Sequence, residues 1–300
     1  MTEQSLQNRV AIVTGGGRGI GLAIARSIVD AGGQVVIADN GGAINGDGGD
    51  PTVAETAARE LGDNATAFTR SIASPGATGA LVDQAKSSFG SLDIIVNNAA
   101  ILRDAFIFKG DAGDWEAVIR TNLSAARNLI AAAAPTLRQN AKDERGGSPY
   151  QWGRIVNITS SAGIYGNFGQ SAYASAKAGL IGLTRVVAMD LARSGITANA
   201  VAPFAATRVT DTIQPANDAQ ASYKERALKL DASHVANVVR WLASERAQHV
   251  TGQLFGVRGR EVFLFSQPRP VARLLNDEGP WGDADLSAAA ADTFTDHYTS

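Results

Sequence analysis

The stretch T-G-G-G-R-G-I-G, Thr14 to Gly21, decides how the rest of the chain is read. It stands between the apolar run R-V-A-I-V-T, Arg9 to Thr14, and a segment with helical spacing from about Ile20 to Ala31. A strand that passes through a glycine turn into a helix leaves backbone N–H groups free at the helix N-terminus, where the helix dipole favours negative charge. Gly15 permits the tight turn, while Gly19 and Gly21 let backbone approach a pyrophosphate and let helix pack on strand. Glycine spacing alone is a weak signal; its position between strand and helix gives it weight. Asp39 closes the next apolar run, V-V-I-A-D, where a carboxylate accepts hydrogen bonds from ribose hydroxyls and repels a 2′-phosphate. The turn therefore predicts a dinucleotide site that takes NAD in preference to NADP. Arg18 is the countersignal, because a guanidinium in the turn can pair with such a phosphate.

Outward from this unit, short apolar runs keep alternating with helical patterns, as βαβ units around a parallel sheet require. Further strands are expected at Ala65 to Phe68, Leu92 to Ala100, Arg154 to Thr159, Ile196 to Pro203 and Gly252 to Val257. Helices are expected at Thr52 to Glu60, Gly76 to Ser88, Trp115 to Leu137 and Ala172 to Ala192, with another capped by Asp231 or Ser233. The expected fold is a single α/β Rossmann-like doubly wound domain, residues 1–266, with a central seven-stranded parallel sheet and helices on both faces. Residues 41–50 are too rich in glycine for an element interior and read as a loop insertion. Residues 267–300, with Pro268, Pro270 and few core-forming side chains, read as an extended C-terminal extension rather than an independent domain.

Composition removes several functions. A net charge of -2 without a basic run argues against nucleic acid as a partner. The absence of cysteine excludes disulfides, thiolate nucleophiles and common zinc sites, and three scattered histidines give no metal-ligand spacing. No apolar run has the length of a membrane span, and the polar amino terminus lacks a secretory segment, so a cytoplasmic enzyme without a metal is expected.

The chemistry is concentrated in Y-A-S-A-K-A-G, Tyr173 to Gly179. At a spacing of four, Tyr173 and Lys177 share one helix face, near enough for the ammonium to favour the phenolate and lower the phenol pKa. The small residues between them leave room for ligands, and Ala178 and Gly179 allow close packing. Ser160 follows the fifth strand and reaches the same carboxyl edge, where its hydroxyl can hold a substrate oxygen. Asn122, inside a long helix, is read either as a local bend or as an ordered water site that links Lys177 to solvent. Of the asparagine pair ending the fourth strand, Asn97 is favoured as the polar group beside the cofactor. Chance placement on a surface helix remains the bland alternative for Tyr173 and Lys177.

Taken in order, T-G-G-G-R-G-I-G, N-N-A-A, Asn122, Ser160, Y-A-S-A-K and N-A-V-A-P resemble the short-chain dehydrogenase/reductase family from Arg9 to about Val257. The resemblance implies Tyr173 as acid-base, Lys177 on the nicotinamide ribose, Ser160 orienting the carbonyl or alcohol, and Asn122 holding a relay water. It also implies cofactor contacts from Ile20, Ser71, Ala99, Pro203 and Thr207, and substrate contacts from Ile164, Phe168 and Phe204. The sequence departs from the family pattern at Ala100, Phe204 and T-R-S-I, where Arg70 or Ser71 replaces an adenine-binding aspartate.

A narrower resemblance, carried by Ile101 to Trp115, Ala202 to Thr210 and Ala227 to Ala236, is to the (3R)-hydroxyacyl-CoA dehydrogenase unit of peroxisomal-type multifunctional enzymes. It implies oxidation of a 3-hydroxyacyl-CoA or related lipid, with a hydroxysteroid dehydrogenase or an NADPH-dependent 3-oxoacyl reductase as alternatives. A homodimer or homotetramer is the family expectation. A non-catalytic nucleotide sensor is the alternative of a different class, and it gives no use for Tyr173, Lys177, Ser160 and Asn122 together.

Overall fold

The computed structural model describes residues 5–150, 152–204, 230–277 and 279–298. Seven parallel strands are β1 (Val10–Thr14), β2 (Gln34–Ala38), β3 (Ala65–Phe68), β4 (Ile94–Asn97), β5 (Arg154–Ile158), β6 (Thr197–Pro203) and β7 (Leu254–Arg258). They lie in the order β3-β2-β1-β4-β5-β6-β7. The chain runs outward from β1 through β2 to β3 and then returns to β4 on the other side of β1. That reversal opens a crevice at the carboxyl ends of β1 and β4, where ligands collect in this kind of sheet.

The strands read as unbroken apolar runs because both faces of the sheet are covered. Alternate residues enter different cores. Ala11, Val13, Val35, Ile37, Ile94 and Val96 face one side with Ile24 and Ile28 of α1 (Gly19–Asp30) and Val239 of α8 (Ser233–Ala243). Val10, Ile12, Val36 and Ile95 face the other with α3 (Ala77–Phe89), α5 (Ala125–Lys142) and α7 (Ser171–Leu191). Each fully buried isoleucine contributes roughly 2 kcal/mol relative to exposure. The cap position of α8 falls on Ala232 rather than on Asp231 or Ser233, and Asp231 acts one residue earlier, its Oδ1 accepting from Ser233 N at 2.7 Å.

Three elements differ from expectation. An eighth strand, β8 (Glu261–Leu264), pairs antiparallel with β7, so the sheet is eight-stranded and mostly parallel rather than seven-stranded and all-parallel. Arg258 faces Glu261 across a two-residue turn in which Gly259 has φ +56°, a backbone that glycine supplies without strain. The long helix expected from Trp115 is three segments: α4 (Ala112–Ile119), a π-helical turn over Arg120–Ser124, and α5. It begins early because Asp111 caps it, accepting from Gly113 N at 2.7 Å and Asp114 N at 3.2 Å. The remaining described helices are α2 (Thr52–Leu61) and the single turn α6 (Ala162–Tyr165).

The chain divides into two compact units, one ending at Phe265 and the other spanning Ser266–Ser300. The second unit carries a helix, α9 (Asp283–Phe294), where an extended segment was expected. Its alanine run has strong helix propensity, and Asp283 and Asp285 suit the positive end of the helix. None of its residues is buried, which explains why no amphipathic pattern announces it. Among the described residues no helix is long and apolar enough to cross a membrane.

Candidate active site

The carboxyl edge of the first unit holds a cleft of about 940 Å³ lined by the glycine turn, Asp39, Ser160, Tyr173 and Lys177. The turn is built for close approach. A β-carbon on Gly15 would come within 2.8 Å of Ala99 Cα, and one on Gly21 would collide with the Gly15 carbonyl, whereas Gly19 faces open space. Asp39, buried at the end of β2, accepts from Gly17 N at 3.0 Å and from Gly41 N at 2.8 Å. The carboxylate is thereby fixed against the turn where a nucleotide ribose belongs, so these residues fit a dinucleotide. Arg18 also lines the cleft, where it donates to the Gly42 carbonyl at 2.8 Å and pins the first part of the glycine-rich loop. Arg103 pins the rest through Asn45 O at 2.8 Å, Asp47 at 3.1 Å and Asp114 at 2.8 Å.

Of the asparagine pair, Asn98 rather than Asn97 faces the cleft. Asn98 Nδ2 donates to the carbonyls of Thr14 and Gly15, both at 3.0 Å, while Thr14 Oγ1 accepts from the backbone of Asn98 and Ala99. Asn97 turns its amide to Asn157 at 2.9 Å, which continues to Thr184 at 2.8 Å beneath α7. Successive residues of a strand point to opposite faces, so only one of the two can reach the ligand. Thr14 was missed as a site residue although its hydroxyl ties β1 to β4; its place as the last residue of β1 was the available signal.

The spacing of Tyr173 and Lys177 does bring them together. Lys177 Nζ lies 5.7 Å from the centre of the Tyr173 ring and donates to Ile158 O at 2.7 Å. Both side chains are buried, and burial pushes the phenol up to about 12 and the ammonium down to about 8. The phenol is not depressed as the spacing suggested: desolvation outweighs the other influences, among which a hydrogen bond with Ser160 lowers it and the charge of Asp104 raises it. Ser160 Oγ also accepts from Ala162 N at 3.2 Å, so the turn after β5 sets the hydroxyl beside the phenol. Helix α7 sits close to the π-turn because Gly179 leaves no side chain there; a β-carbon would lie 2.8 Å from Leu123. Ala178, by contrast, is exposed.

Asn122 lies in the π-turn and is buried, but its amide is committed at both ends. Oδ1 accepts from Ile101 N at 2.8 Å and Nδ2 donates to Ile101 O at 2.9 Å. The side chain therefore clamps the loop after β4, which forms one wall of the cleft. Ile20 combines a core side chain with a place on the cleft rim; Ser71, Arg70, Ala99, Pro203 and Phe204 also line the cleft. Ile164 and Phe168 do not. Ile164 packs toward Ala200, Ala202 and Leu254, while Phe168 is 84% exposed between Gly166 and Gly169; Tyr165 takes the cleft position instead. Thr207 lies outside the described residues.

A family profile described as short chain dehydrogenase matches residues 9–221. The chain belongs to the short-chain dehydrogenase family. Members are NAD(P)-dependent oxidoreductases acting on CH–OH groups, and Ser160, Tyr173 and Lys177 stand in one cleft accordingly. The chain is 37% identical to the hydroxyacyl-CoA dehydrogenase ChsB1 of Mycobacterium tuberculosis, over 96% of this chain and 89% of that protein. It is 33% identical to the 3-oxoacyl-[acyl-carrier-protein] reductase FabG of Salmonella typhimurium, over 85% of this chain and 98% of that one. A crystal structure of a short chain dehydrogenase from Mycobacterium avium superposes with a TM-score of 0.79 at 34% identity, covering 96% of this chain and 95% of the other.

Proposed function

We propose that this short-chain dehydrogenase interconverts 3-hydroxyacyl and 3-oxoacyl thioesters of coenzyme A, with NAD as the preferred cofactor. The observation that carries the substrate class is the extent of likeness to the hydroxyacyl-CoA dehydrogenase, which reaches across 96% of the chain, against 85% for the FabG reductase. The NAD preference rests on Asp39, whose buried carboxylate would meet a 2′-phosphate as like charge, while Arg18 is engaged with Gly42.

A bound nicotinamide supplies the two-electron acceptor or donor. Ser160 holds the substrate oxygen by a hydrogen bond, and Tyr173 exchanges a proton with that oxygen. Lys177 places positive charge beside the phenol and exchanges protons toward solvent. Because the Asn122 amide is occupied by Ile101, we assign any water relay from Lys177 to the backbone of the π-turn. Asn122 then acts by holding the cleft wall.

Burial, which raises the phenol to about 12, keeps Tyr173 protonated at neutral pH and so suits a second reading, reduction of a 3-oxoacyl substrate, in which the phenol begins as the acid. One assay separates these readings: turnover with NAD and NADP, in both directions, across 3-hydroxyacyl-CoA chain lengths, acyl-carrier-protein thioesters and hydroxysteroids. Preferred oxidation of acyl-CoA with NAD is the expected result. Preferred NADPH-dependent reduction of carrier-protein thioesters selects the second reading, and turnover of steroids alone overturns both.

A further inference from the structure

Ser160 and Tyr173 account for the reacting oxygen, yet a second polar cluster stands on the same cleft wall. Gln170 directly precedes α7, three residues before Tyr173; it lines the cleft and is only 8% exposed. Its Nε2 donates to Asp104 Oδ2 at 2.8 Å, and its Oε1 accepts from Asn167 Nδ2 at 3.1 Å. An ionised carboxylate only accepts, so the bond to Asp104 fixes which end of the amide is nitrogen. The backbone holds the pair in register: Ala105 bridges Gln170, and Ala105 N donates to Gly169 O at 2.8 Å. An amide nitrogen carries two hydrogens, and here Asp104 takes one of them. The charge of Asp104 also acts on the Tyr173 phenol, so carboxylate, amide and catalytic phenol share one locality.

We propose that Gln170 recognises a second substrate oxygen, the acyl carbonyl two carbons from the reacting carbon, and that Asp104 behind it makes the site choose a neutral thioester over a free carboxylate. The proposal rests on the 3-hydroxyacyl reading above and names the residue that enforces it. The remaining N–H of Gln170 suits a neutral carbonyl oxygen, and the partners on either side keep it aimed. A carboxylate in that place would bring like charge to Asp104, whereas a simple secondary alcohol or a steroid alcohol has no oxygen there and gains nothing from the amide.

The test uses three alcohols with the same alkyl tail: a 2-alkanol, the N-acetylcysteamine thioester of the 3-hydroxy acid, and the free 3-hydroxy acid. The ratio of kcat/KM between two substrates of one variant does not depend on the folded fraction, so a partly unfolded variant still reports. The native enzyme is expected to favour the thioester over the alkanol. Gln170→Leu, or Gln170→Met if the first folds poorly, should shrink that ratio about tenfold, chiefly through KM. Asp104→Asn should raise the free acid against the thioester by about tenfold. An unchanged thioester-to-alkanol ratio in both Gln170 variants overturns the role of Gln170 and leaves the acyl-thioester reading standing. An unchanged acid-to-thioester ratio in Asp104→Asn overturns the role of Asp104. A native enzyme without preference for the thioester overturns the proposal and the substrate reading together.

Discussion

At the amino ends of β1, β4 and β5, Asp93 is completely buried and answered from several sides. It accepts from Val10 N at 2.9 Å and from Arg145 at 3.1 and 3.2 Å, with Arg9 at 3.8 Å. Arg154, equally buried, spends its guanidinium on the carbonyls of Ser244 and Gly153 at 3.0 to 3.2 Å, and burial draws it down to about 10. At the carboxyl ends of the same sheet, Lys177 is just as dry, yet its ammonium makes one hydrogen bond among the described residues, to Ile158 O. The contrast lies in how burial is compensated and in where the group starts. Asp93 is surrounded by opposite charge and hydrogen bonds, and Arg154, though burial lowers it as it lowers Lys177, is a guanidinium that stays charged through the neutral range, so both serve as clasps. Where compensation is thin, the energies of the protonated and deprotonated forms are brought closer and the group can exchange a proton.

The largest expected effect tests the carboxyl side of that contrast. Tyr173→Phe should lower kcat/KM by about 10²- to 10⁴-fold while stability changes by less than about 1 kcal/mol. On the amino side, Asp93→Ala should cost about 3 kcal/mol of stability, because it leaves Arg145 and Arg9 without their anion, and activity per folded molecule should hold. Denaturant titrations and initial rates on both variants check the pair. Loss of turnover in folded Asp93→Ala, or an equal loss of stability in Tyr173→Phe, would break the division between the two ends.

The same contrast explains what the sequence disclosed. The glycine turn, Asp39 and the Tyr173 to Lys177 spacing are local patterns, each confined to one turn or one strand end, and the structure brings them into one cleft. The Asp93 clasp joins residues 52 positions apart through an irregular excursion, and no periodicity announces such a contact. The choice between Asn97 and Asn98 depended on the register of a strand whose ends were placed only approximately. The resemblance placed Ile164 against the substrate, but within the single helical turn Ala162–Tyr165 it is Tyr165 that borders the cleft, largely exposed, while Ile164 packs on β6 and β7. β8 was missed because a short edge strand with mixed exposure lacks the buried run that marked the other seven. Most consequentially, spacing reveals that Tyr173 and Lys177 are neighbours but says nothing of how dry they are, and dryness sets the direction of the phenol shift.

The smallest expected effect follows from that dryness. Lys177 releases its proton at about pH 8, whereas a free lysine does so near pH 10.4, and Tyr173 stays protonated to about pH 12. In the proposed ketone reduction Tyr173 would serve as the acid over the whole neutral and mildly alkaline range, so a break in rate near pH 8 would report the loss of the ammonium charge. The reductive rate should fall roughly several-fold between pH 7 and 9.5. Lys177→Arg, whose guanidinium remains charged, should show no such break on whatever activity it retains. The linkage has the opposite sign for stability. Between about pH 8 and 10.4 the unfolded chain binds a proton at Lys177 that the folded chain has shed, so stability rises with pH across that window. Lys177→Met lacks this linkage, and its stability advantage over the native protein should be greatest below pH 8 and shrink as the pH approaches 10.4. A stability difference that stays flat across the window would mean that the ammonium is compensated after all, and the two ends of the sheet would then treat buried charge alike.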